Sequence, residues 1–64
     1  MLKITLAAAR VNKKIKQGEA AKKLGIMPQT LRNWESGKTS PSAAQFQKIC
    51  ELYEIRPDQI FFDQ

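Results

Sequence analysis

QGEAAKKLGIMPQTLRNWESGK occupies residues 17–38, and its spacing writes two short helices on either side of a glycine. In the first, residues 17–24, Ala20, Ala21 and Leu24 fall on one inward stripe, while Lys22 and Lys23 are solvated. Gly25 ends that helix, as the residue that most readily takes the left-handed conformation beyond a C-terminus. Pro28 opens the next at its first turn, where a missing N–H costs nothing. This second helix runs to about Ser36 and stops at Gly37. At about 100° per residue, Leu31 and Trp34 share one side. Gln29, Arg32, Asn33 and Ser36 lie opposite, with Pro28 on the margin. Trp34 is core by position, because large aromatics prefer burial. Stacking on an unpaired base is the other reading.

Outward from this pair, the chain stays helical. A first helix is predicted over residues 3–13, with Leu2, Leu6, Ala9 and the stem of Lys13 on one stripe. Lys38 to Pro41 is a turn. Ser40 or Ser42 can cap a fourth helix reaching Tyr53, whose inner stripe is Ala43, Phe46, Ile49, Cys50 and Tyr53. Pro57 starts a short fifth helix, and Ile55, Ile60 and Phe61 close the bottom of the core. The expectation is a single all-α domain of five helices over residues 1–64.

The bulk numbers narrow the function classes. Sixty-four residues make one small domain with a thin core. One cysteine and no histidine exclude an internal disulfide and a Cys/His zinc site. No apolar run reaches the length of a membrane span and no signal-peptide pattern opens the chain, so a cytoplasmic protein is expected. Eleven Lys and Arg against six Asp and Glu give +5, which favours a polyanionic partner. An enzyme is the weakest option, because no nucleophile and base can be paired and no cofactor is implied. Cys50, on an inner stripe, reads as packing. The basic residues are spread over several helices, which argues against a membrane-surface role.

Two short helices joined through a glycine turn form a helix-turn-helix, whose second helix can enter a DNA major groove. Gln29 or Asn33 can bond an adenine edge in two places, and Arg32 can do so with guanine O6 and N7. A polar helix face is commonly just a solvated one. Here it belongs to the second helix of a glycine turn in a basic domain.

From residue 15 to 61 the chain resembles the Cro and phage-repressor type of helix-turn-helix domain, the XRE-like family. The resemblance is carried by Q-x-x-A-A-x-x-L-G-I at residues 17–26 and T-L-x-x-W-E-x-G-K at residues 30–38. It continues through Pro41 and the fourth helix to I-x-P-D-Q-I-F at residues 55–61. It implies a five-helix, lambda-repressor-like fold with the helix-turn-helix at helices 2 and 3. It also implies site roles. Met27, Pro28, Gln29, Arg32 and Asn33 match the positions that meet base edges. Gln17 matches a phosphate anchor, and Gly37, Lys38, Thr39 and Ser40 match a loop that holds the DNA backbone through N–H groups and the lysine. Arg10 and Glu35 match a salt bridge between the first and third helices; two unrelated surface charges are the alternative. The chain departs from the pattern at Lys16 and Met27, where capping residues are usual, at Gly18 inside the second helix, at Pro28, where a polar reading residue is usual, and at Glu54, where a glycine is usual.

The leading expectation is a sequence-specific regulator of double-stranded DNA, most simply a small phage- or mobile-element-type repressor, dimeric at least on DNA. Phe61 and Phe62 are candidates for the dimer contact, and Phe62 reads equally well as core. The second hypothesis is an antitoxin-like or adaptor protein whose main ligand is another protein. An exposed apolar surface around Tyr53, Phe61 and Phe62 would favour it.

Overall fold

The computed structural model describes residues 4–61, and for Phe61 the backbone alone. The expectations placed on Leu2, Lys3, Phe62 and the Phe61 side chain lie outside the described residues. The order is β1 (Ile4–Thr5), α1 (Leu6–Asn12), α2 (Gln17–Leu24), α3 (Pro28–Ser36), α4 (Ala43–Tyr53), a 3-10 turn (Pro57–Gln59) and β2 (Ile60–Phe61).

The class is all-α, but with four α-helices rather than five among the described residues. The first begins at Leu6 because Thr5 is extended and caps it: Thr5 Oγ1 accepts from the Ala8 N–H at 3.1 Å. Ile4 and Thr5, both β-branched and so suited to extended backbone, pair in parallel with Ile60 and Phe61. That pairing also ends the expected fifth helix after one turn. Ile60 is already extended, at φ −95° and ψ 132°.

All four helices end alike. Lys14, Gly25, Gly37 and Glu54 follow the helices with positive φ, at 58°, 72°, 82° and 53°. The next residue's N–H returns to a carbonyl one turn back in each case: Ile15 to Arg10, Ile26 to Ala21, Lys38 to Asn33 and Ile55 to Cys50. These are Schellman ends, in which the residue after the left-handed one commonly packs on the helix it closes. Ile15, Ile26 and Ile55 do so, lying half-buried against the core. The chain therefore turns four corners with one device, twice on glycine and twice on residues that pay a steric cost for left-handed backbone.

The core is Leu6 and Ala9 of α1, Ala20, Ala21 and Leu24 of α2, Leu31 and Trp34 of α3, Ile49 and Tyr53 of α4, and Ile60. Trp34 is 7 % exposed, which settles its face: it holds α3 to the domain. Cys50 is buried and free, and burial pushes its thiol above the usual range. Ala43, expected inside, is exposed, and Phe46 is the first apolar side chain of that helix to pack inward. Ser42 is the cap, accepting from the Gln45 N–H at 3.2 Å. Lys13 is exposed too, its ammonium 2.7 Å from the Glu54 carboxylate.

Candidate nucleic-acid interface

Helix α3 is pinned from below. Leu31 and Trp34 are buried, so the opposite side of the helix is presented outward. The N-terminus of α3 has no side-chain cap, since Met27 stands at that position. Met27 is 70 % exposed, a flexible apolar side chain at the mouth of the helix. Pro28 is exposed beside it.

On the outward face the expected reading residues touch one another. Arg32 Nη1 donates to Gln29 Oε1 at 2.8 Å, and Gln29 Nε2 donates to Asn33 Oδ1 at 3.0 Å. The helical offsets of three and four residues bring these side chains together. Gln29 and Arg32 are exposed and Asn33 is half-buried.

Below that face lies a charged cluster. Arg10 Nε donates to Glu35 Oε2 at 2.8 Å and Arg10 Nη2 to Glu35 Oε1 at 3.4 Å. The third nitrogen, Nη1, donates to the Ile15 carbonyl at 2.8 Å. Gln17 Nε2 adds a bond to Glu35 Oε1 at 3.0 Å. One carboxylate on α3 thus ties down α1 and the start of α2, and Arg10 extends the link to the α1–α2 corner. The pair is largely sequestered, with side-chain exposures of 15 % and 8 %. Gln17, expected as a phosphate anchor, has one amide hydrogen turned inward to Glu35. Its second remains available to an outside acceptor.

The loop after α3 differs from expectation. The N–H groups of Gly37, Lys38 and Thr39 all turn back to carbonyls of α3, on Trp34 and Asn33. A helix end leaves its last carbonyls without partners, and the loop satisfies them. Those N–H groups are therefore committed internally rather than offered outward. What Lys38 and Thr39 present outward is side chain, and both residues are exposed.

Two buried polar atoms are not announced by the sequence pattern. Tyr53 is 2 % exposed and its hydroxyl is buried without a hydrogen-bond partner. Burial, with the Glu35 carboxylate adding to it and Arg10 opposing, pushes its phenol up to about 12. Gln45 Oε1 is likewise buried without a partner. With Tyr53 inside, it adds nothing to an exposed apolar surface at this end of the domain. An open cleft of about 270 Å³ between the ends of α1 and α4, floored by Ile4, Ala9, Tyr53 and Ile55, takes no residue from α3.

A family model described as helix-turn-helix matches residues 6–60. The chain belongs to the XRE-family helix-turn-helix domains. No curated protein matches it. Membership makes the chain a DNA-binding transcription regulator of the XRE type. Within the helix-turn-helix, α2 and α3 pack closely on each other across the Gly25 corner. Exposed Lys14, Lys16, Lys22, Lys23, Arg32 and Lys38 give this half of the domain a positive surface. Among the described residues no group of His, Cys, Asp or Glu could hold a metal ion, and no helix is long and apolar enough to cross a membrane.

Proposed function

We propose that this helix-turn-helix domain is a small cytoplasmic repressor that binds operator DNA sequence-specifically, with α3 in the major groove. The observation that carries the reading is the division of α3: Leu31 and Trp34 are buried, and Gln29, Arg32 and Asn33 are grouped on the opposite face. Amides and a guanidinium are the side chains that pair with base edges in two places at once. Met27 and Pro28 supply apolar contact, for which a thymine methyl is the matching group.

Lys38, Thr39 and Ser40, next to Gly37 at the end of α3, and Gln17 at the start of α2 flank this face. They contact phosphates and set register without reading sequence. Repression follows from occupancy of the operator. Two copies bind as a dimer, presenting their α3 helices about 34 Å apart, one turn of DNA.

Binding-site selection from a randomised duplex library, at stated salt because affinity depends steeply on it, tests this. A palindromic motif with half-sites one turn apart is expected. Failure to enrich any motif overturns the proposal.

A further inference from the structure

The Arg32–Gln29–Asn33 contact is a chain of hydrogen bonds with one possible direction. A guanidinium can only donate, so the end of the Gln29 amide facing Arg32 must be its oxygen. Gln29 therefore turns its Nε2 toward Asn33, and the group it meets there must be an acceptor. That places Oδ1 of Asn33 inward along the relay, as observed at 3.0 Å, and leaves its Nδ2 hydrogens unspent. Arg32 spends Nη1 on the relay and keeps its Nε–H and Nη2–H, a fork of two parallel donors. Arg10 shows the same fork closed on Glu35 through Nε and Nη2.

We infer that Arg32 sets the polarity of both amides, so that the outward face of α3 is dominated by donors and selects acceptor edges, above all guanine. Guanine alone presents two adjacent acceptors, O6 and N7, in the major groove, whereas adenine and cytosine present an amino donor there. Gln29 is thus a positioning residue for Asn33 as well as a contact in its own right. Inside a groove that excludes water, such a relay is stronger than on a free surface. The inference rests on base reading by α3 as proposed above.

The test is the same selection from randomised duplex DNA, run on the unaltered protein, on Gln29→Glu and on Asn33→Asp. A carboxylate at 29 accepts from Arg32 and also from Asn33. Asn33 then reverses and turns its oxygen outward. Asn33→Asp puts an oxygen outward directly.

The relay predicts guanine enrichment for the unaltered protein. It also predicts that both variants shift preference by about ten-fold toward cytosine or adenine at one and the same position. Both substituted positions lie on the outward face of α3, and thermal melts check that each variant is folded. If Asn33→Asp shifts the motif and Gln29→Glu does not, the relay is overturned while base reading stands. A motif lacking guanine overturns it equally. If the unaltered protein enriches no motif, base reading itself fails and the relay with it.

Discussion

Arg10 Nε lies 2.8 Å from Glu35 Oε2 across 25 residues of sequence, with the Glu35 side chain 8 % exposed. Side chains of α1, α2 and α3 meet at this carboxylate. Removing one partner strands a largely buried charge, whereas replacing both with apolar residues does not. Arg10→Met is expected to cost about 3 kcal/mol. The double variant Arg10→Met, Glu35→Leu should recover a good part of that. Urea midpoints at constant m-value measure both. Additive losses would show that the pair does not act as a unit.

The four helix ends offer a paired test of backbone strain. Lys14 adopts φ 58° without being glycine, and Gly25 adopts φ 72° as one. Lys14→Gly should raise stability by about 0.5–1 kcal/mol by relieving the left-handed penalty. Gly25→Ala should lower it by about 1 kcal/mol, although nothing lies within 4 Å of the added carbon. Thermal melts of the two variants moving in the same direction would refute this account of the corners.

Tyr53 gives a prediction on the alkaline side. Its phenol, ordinarily near 10.0, is raised to about 12 in the folded protein. A raised acid holds its proton better when folded, so its contribution is complete below about 10 and is lost as pH climbs toward 12. Tyr53→Phe should flatten that alkaline loss. It should also be neutral or stabilising by up to about 1 kcal/mol at neutral pH, since the buried hydroxyl it removes has no partner. A clear destabilisation at neutral pH would mean that the hydroxyl is bonded.

Lys38 separates gripping from reading. Lys38→Ala should weaken selected and random duplexes alike, and the salt dependence should become shallower by about one ion. An unchanged salt slope would remove Lys38 from the phosphate contacts.

Much of this was legible in the sequence because helical periodicity and glycine punctuation are local signals. The burial of Leu31 and Trp34, the boundaries of α2 and α3, the left-handed turn at Gly25 and the stop at Gly37 follow from spacing and from the glycines themselves. The ends of the chain were not legible. Whether residues 4–5 extend α1 or form a strand depends on Ile60 arriving beside Ile4, a contact made across nearly the whole chain. The left-handed turn at Lys14 had no glycine to announce it, though an isoleucine follows Lys14, Gly25 and Glu54 alike. The resemblance implies that the loop at residues 37–40 offers N–H groups to phosphate, but α3's own carbonyls hold those of Gly37, Lys38 and Thr39. The bond from Gln17 to Glu35, like the buried hydroxyl of Tyr53, exists only once the helices are packed.

The most direct test of base reading by α3 compares Gln29→Ala with the unaltered protein on the selected site and on random duplex at one salt concentration. Base reading predicts a loss of about 1–3 kcal/mol on the selected site, relaxed preference at one base position, and little change on random DNA. Equal losses on both DNAs would contradict it.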